Sequence, residues 1–168
     1  DDLQLVDVDG DGALDLVVNG HCIRNENAAG WPVVPADPVD LGADAAPALL
    51  DLDGTGTLAL VQLEQAEGVP FARRLLWRPQ EEPLTFGAAG DLGLIGPEDC
   101  CSWVRAVCDG NRQGLLLQCA AYQELRFYPL EGPRRFGTPQ RLESLAAVAA
   151  WSDQAWPCLC DWNGDGVQ

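Results

Sequence analysis

The chain has 168 residues, 47% of them hydrophobic, and a net charge of −16, which suits one folded core and excludes a disordered chain. The acidic excess argues against nucleic acid and anionic lipid as partners, since both are negative themselves. All ten basic residues are arginine, which excludes lysine chemistry, and no apolar run reaches the roughly 18 residues of a membrane-spanning helix.

Taken in chain order, the expected elements are short and β-like. A strand over 3–6 precedes an acidic turn, and alternation resumes at 14–18, closed by the turn pair Asn19-Gly20. A weak element around 23–31 and a short stretch at 38–41 complete the first period. The second period repeats the scheme with strands at 58–63 and 74–77, a Phe86-Gly87 pair and a further weak segment. The third offers 115–119, 124–128, Phe136-Gly137 and 139–142. Only 142–150 reads as a helix, and 157–160 reads as the strand before a last acidic turn. Eighteen glycines and twelve prolines punctuate the chain, as many short strands require.

Four segments share a core, and aligning Asp7, Asp51, Val107 and Asp161 spaces them by 44, 56 and 54 residues. Periods near 40–50 belong to solenoids or to four-stranded propeller blades. The approximate repeats are 1–44, 45–100, 101–154 and a partial 155–168, within a single repeat domain.

The first core is the informative one. Asp7, Asp9, Asp11 and Asp15 occupy loop positions 1, 3, 5 and 9, with Gly10 and Gly12 between them. Carboxylates at alternate positions of a tight turn converge, and they repel unless a cation sits among them. Calcium suits flexible, oxygen-rich geometry better than magnesium, and the Ala13 carbonyl is a candidate fifth ligand. An EF-hand opens the same way but requires Glu at position 12 between helices; here position 12 is Val18 and the flanks read as strands. The motif Asp7-x-Asp9-x-Asp11-Gly12-x-x-Asp15-Leu16 resembles the FG-GAP/VCBS repeat, the family that includes the calcium-binding blades of integrin-α-type propellers. Phe86-Gly87 and Phe136-Gly137 sit where such repeats carry Phe-Gly, and Asp161-Trp162-Asn163-Gly164-Asp165-Gly166 is similar to loops of bacterial members. The resemblance implies an all-β, propeller-type array of four-stranded antiparallel blades, about three blades plus a strand, with calcium between a blade's first two strands.

The other loops depart from the pattern. Asp51 and Asp53 match, but Thr55 and Ala59 replace two carboxylates, so the second loop is either a weak calcium site or an empty Asx-turn. The third keeps only Asp109 and Asn111 and reads as metal-free. The fourth offers Asp161, Asn163 and Asp165, but the chain stops at Gln168.

The remaining chemistry is sparse. Seven cysteines leave room for disulfides, with Cys108–Cys119 the first guess across the third turn and buried thiols the alternative; zinc lacks its CxxC pairs or histidines. His21, the only histidine, reads as a turn residue, and no catalytic elbow is present, so an enzyme is not expected. Six tryptophans read as packing between blades, with sugar stacking as the functional alternative. Arg73-Arg74 and Arg134-Arg135 read as solvated strand ends or ion-pair partners. The absence of Met predicts a processed or excised piece, and no leader of basic and apolar residues opens it. Blade arithmetic leaves three arrangements: a fragment of a longer propeller, a homo-oligomer that completes one, or a short open array. The expected function is a calcium-stabilised binding or scaffold module, extracellular or at the cell surface, with a protein or carbohydrate ligand. The alternative is a structural propeller fragment of a larger secreted protein of the Tc/SpvB-like toxin kind.

Overall fold

A computed structural model describes residues 3–27, 32–43, 47–68, 72–95, 101–109, 112–119 and 124–142. Among them there is no helix, and every strand pairing is antiparallel. Of the helix expected at 142–150 only Leu142 is described, and it is not helical; the rest of it, the strand at 157–160 and the fourth acidic turn, with Asp161, Asn163 and Asp165, lie outside the described residues.

Sheet I contains β1 (Leu3–Val6), β2 (Asp15–Val18), β3 (His21–Ile23) and β4 (Val39–Asp40), in that order. Asn19 and Gly20, both left-handed at φ 49° and 80°, make the tight β2–β3 turn, the conformation that Asn-Gly hairpins favour. Sheet II runs β5 (Ala48–Leu50), β6 (Ala59–Gln65), β7 (Arg73–Glu82) and β8 (Thr85–Phe86), with β9 (Gly90–Ile95) also on β7. Sheet III repeats that pattern with β10 (Cys101–Asp109), β11 (Arg112–Cys119), β12 (Glu124–Gly132), β13 (Arg135–Phe136) and β14 (Gln140–Arg141). The Phe-Gly pairs close equivalent hairpins: Gly87 N–H donates to Pro79 O and Gly137 N–H to Pro129 O, each at 2.8 Å.

The third core differs from its expected loop. β10 runs on through Val107 and Asp109, and Asp109 pairs directly with Arg112, so two residues, outside the described set, lie between β10 and β11 where eight separate β1 from β2. Cys108 carries a free, exposed thiol. It stands opposite Gln113, whereas Cys119 stands opposite Cys101 at the far end of the hairpin. The expected Cys108–Cys119 bridge is therefore absent, because the short turn puts the two residues at opposite ends of the ladder.

The sheets stack in chain order. Val8, Val17, Cys22 and Leu41 of sheet I pack against Leu49, Leu60 and Phe86 of sheet II. The other face of sheet II, with Ala48, Leu50, Ala59, Val61 and Leu75, packs against Cys101, Val104, Leu115 and Leu117 of sheet III. Period-two alternation lets β5 and β6 serve both cores at once. Gln4 fastens the first pair of sheets, donating to Leu49 O at 3.1 Å and accepting from Leu49 N–H at 3.2 Å. That contact satisfies the free edge of β5.

Candidate metal centre

The first acidic turn joins β1 to β2. Asp7 accepts from Gly10 N–H (2.8 Å, Oδ1) and Gly12 N–H (2.9 Å, Oδ2). Gly10 and Gly12 hold φ 80° and 91°, which a side chain would strain. Asp15 is wholly buried, accepting from Val8 N–H on Oδ2 and Asn25 N–H on Oδ1, each at 2.9 Å. Asp9 is held loosely, by Asp11 N–H at 3.2 Å and by Arg24 Nη1 at 3.6 Å.

Asp7, Asp9 and Asp15 bring one carboxylate oxygen each within 4.8 Å of one another. Two ionised carboxylates at that separation repel by about 3 kcal/mol at an effective dielectric of about 20. Among the described residues the one cation paired with the group is Arg24, at 3.6 Å from Asp9, one positive charge against three carboxylates. Each oxygen that accepts one backbone N–H keeps a second lone pair. The donor set is therefore all oxygen, anionic and still able to coordinate, which fits a hard divalent cation. Asp11 stands outside this triad, exposed, its Oδ1 accepting Ala13 N–H at 2.8 Å. Ala13 itself is buried.

The field of the cluster reaches the core between sheets I and II. Burial pushes the Cys22 thiol up from 9.0 to about 12, with the Asp15 and Asp9 charges adding to the rise and Arg24 opposing it.

The second turn, β5 to β6, is built differently. Asp51 accepts four backbone N–H groups: Gly54 (2.8 Å), Thr55 (3.1 Å) and Asp53 (3.2 Å) on Oδ1, and Gly56 (2.7 Å) on Oδ2. Burial alone would raise the Asp51 carboxyl, but the donors from Gly56, Thr55, Asp53 and Gly54 outweigh it and hold the group below the ordinary 3.8. Asp53 is gripped by Arg134, whose Nε donates at 2.8 and 3.1 Å and whose Nη2 makes a further pair. The Arg134 guanidinium also lies 4.0 Å from the centroid of the Trp77 ring, and its backbone N–H donates to Leu52 O at 2.9 Å. Position nine is Ala59, buried in the core. Among the described residues no third acidic, histidine or cysteine ligand joins Asp51 and Asp53. In this turn, which reads as either a weak calcium site or an empty Asx-turn, Arg134 is the cation paired with Asp53.

Arg134 was not legible as a site residue, although its position was. It sits at the tip of the β12–β13 hairpin, just before Phe136-Gly137, and Leu84 holds the equivalent tip before Phe86-Gly87; both have positive φ (53° and 64°). Leu84 packs against the core that contains Val8, and Gln80 Nε2 donates to Val8 O at 2.6 Å. Each hairpin thus reaches back to the acidic turn of the sheet before it, carrying leucine to the first and arginine to the second. His21 is exposed, its Nδ1 3.2 Å from Asn19 O, which is a turn contact. Trp77 and Trp103 both take part in cores.

Comparison with known proteins returned no matching family model, no matching curated protein and no matching solved structure.

Proposed function

We propose that this chain is a calcium-stabilised binding or scaffold module built as consecutive blades of a β-propeller, working outside the cytosol on a protein or carbohydrate partner. The observation that carries the reading is the convergence of Asp7, Asp9 and Asp15, with Arg24 the one cation paired with them among the described residues. Three further features support it: antiparallel meanders in chain order, the same hairpin return in sheets II and III, and sheets stacked face to face. Asp7, Asp9 and Asp15 would hold the ion. Bound calcium would supply positive charge that lets the turn close without repulsion. The second turn has its own cation in Arg134 and needs none. A loop of this openness suits the weak, millimolar-range calcium sites of extracellular modules.

The test is a thermal melt of the intact chain in calcium and in chelator, with magnesium as control. At 100 times its dissociation constant a ligand adds about 2.7 kcal/mol. For a chain of this size that corresponds to a rise of about 5–10 °C in the midpoint. Identical melts in calcium and chelator, with no calcium retained in equilibrium dialysis, overturn the reading.

A further inference from the structure

We propose that Cys101 and Cys119 are the sites of a disulfide that ties the open end of the β10–β11 hairpin, formed when the chain meets an oxidant outside the cytosol. Along most of this hairpin the partners keep one register, from Asp109↔Arg112 to Trp103↔Gln118. Continued by one step, that register would set Ser102 opposite Cys119. A bulge between Cys101 and Trp103 skips Ser102 and brings Cys101 to that place. A bulge disrupts the ladder and re-aims the strand, and here it gives one cysteine another cysteine, in place of a serine, as its cross-strand partner.

Directly opposed residues of an antiparallel ladder have Cα atoms about 4.5–5.5 Å apart, inside the range of about 4.4–6.8 Å that a disulfide spans. The other described cysteines do not oppose a cysteine: Cys22 stands opposite Val17 and Val39, and Cys108 opposite Gln113. Cys101 is 1% exposed and belongs to the core between sheets II and III, with Val104 and Leu117. A bond made there during folding is shielded from soluble reductants once the sheets have closed. Cys101 carries a thiol in this structure, so the bond needs a two-electron oxidant, and a low-molecular-weight disulfide supplies it. One cysteine thiolate attacks that disulfide, releasing one small thiol and leaving a mixed disulfide. The second thiolate then attacks the protein sulfur of the mixed bond, which forms Cys101–Cys119 and releases the second small thiol. The two protons given up by the protein thiols go to the departing thiolates. Such bonds persist in oxidising compartments, so the proposal rests on the placement outside the cytosol and is independent of the calcium site.

The test refolds the intact chain in a mixture of oxidised and reduced glutathione, blocks the remaining thiols with N-ethylmaleimide and maps an unreduced tryptic digest by mass. Trypsin cuts this lysine-free chain at arginine, so Cys101, Cys108 and Cys119 fall on the peptides that end at Arg105, Arg112 and Arg126. The expected product joins the peptide ending at Arg105 to the one ending at Arg126. Cys100 shares the first of these peptides, so Cys100→Ala should keep the link and Cys101→Ala should abolish it. Closing a loop of this length should raise the thermal midpoint by about 6–12 °C over the reduced chain, in chelator as much as in calcium. Alkylated thiols on both peptides of the wild-type chain overturn the proposal, whether or not Cys101→Ala folds. So does a link that survives Cys101→Ala, that is lost in Cys100→Ala, or that joins Cys119 to the peptide ending at Arg112. Alkylated thiols beside a full calcium response sink the disulfide alone, and an intact link beside a flat calcium titration sinks the metal reading alone.

Discussion

Asp15 and Asp9 belong to the same triad but are held in opposite ways, and that separates a structural from a metal-binding contribution. Asp15 has no exposure, and both of its oxygens accept backbone N–H groups at 2.9 Å, from Val8 and Asn25. In Asp15→Asn one oxygen becomes an amide NH₂ that faces a buried donor, so one charge-assisted bond is lost and one N–H is left without an acceptor. Hydrogen bonds to charged groups contribute about 1.5–3 kcal/mol, and a buried orphan donor costs about 1–3 kcal/mol. Taking the lower ends, because neighbouring groups relax, the loss is about 2–3 kcal/mol, or about 4–10 °C in melting midpoint. This loss should be present in chelator, with no metal involved. Asp9 makes only the 3.2 Å contact from Asp11 and the 3.6 Å pair with Arg24. Asp9→Asn should therefore change the chelator melt by no more than about 0.5 kcal/mol, since removing a charge also relieves repulsion. In calcium the order reverses in kind: wild type gains stability and Asp9→Asn gains little. The assay is four melts, two proteins in two conditions, beside wild type. Should Asp15→Asn melt with wild type in chelator, the buried carboxylate is not tying the turn to β3. Should Asp9→Asn keep the full calcium response, the triad is not the site.

Two further outcomes follow from side chains outside the triad. Arg134→Ala removes the Asp53 pair and the Trp77 stacking contact from an exposed position, so the melting midpoint should fall by only about 2 °C. Arg134→Lys should not restore it, because an ammonium cannot reproduce the forked contact; a full rescue by lysine would show that charge alone matters. Cys22 should resist a thiol reagent at neutral pH while the exposed Cys108 reacts, as read by peptide mass mapping. Its folded thiol is raised to about 12 against an ordinary 9.0, so the unfolded chain loses this proton first. Stability from Cys22 is therefore whole below pH 9.0 and is lost as pH rises towards 12. Cys22→Ala should flatten that alkaline decline, and an unchanged slope would refute the assignment.

Much of the strand pattern was readable because burial alternates locally. The stretch expected at 58–63 overlaps Ala59–Gln65 from residue 59 on, 115–119 falls within Arg112–Cys119, and the Asn19-Gly20 turn follows from the backbone freedom of those two residues. The edges were less readable. The reach of β7 to Glu82 depends on its tip hairpin with β8, a contact made after the chain turns back. The third core keeps its alignment, Ala106↔Leu115 matching Val6↔Asp15 and Leu50↔Ala59, but with Val107 in place of the first aspartate the ladder runs on to Asp109↔Arg112 instead of opening into a loop. Spacing brought Asp7, Asp9 and Asp15 to notice together, but it could not tell the inward Asp15 from the outward Asp11. That distinction depends on Asn25, which only the β2–β3 turn brings near. The Arg134–Asp53 pair joins residues 81 positions apart, far beyond any local pattern.

The two described acidic turns face one electrostatic problem and meet it from opposite sides. Their second residues, Val8 and Leu52, are both buried, at 2% and 1% exposure, and both carbonyls accept a hydrogen bond from the next sheet's hairpin. Position nine then decides the rest. In the second turn it is Ala59, which joins the core between sheets II and III, so the side chain there contributes packing and no charge. Two carboxylates remain, one satisfied by four N–H groups and the other by an arginine from the following hairpin. In the first turn position nine is Asp15, equally buried but ionisable, and the following hairpin brings Leu84 in place of a cation. Burying a third negative charge beside two others, with an apolar residue at the cap, is unfavourable unless a positive charge arrives from elsewhere. Arg24 offsets only part of it. On the proposed reading, the first turn is the place in the described chain where a divalent ion from solution would meet that deficit, its charge and oxygen preference matching the three carboxylates.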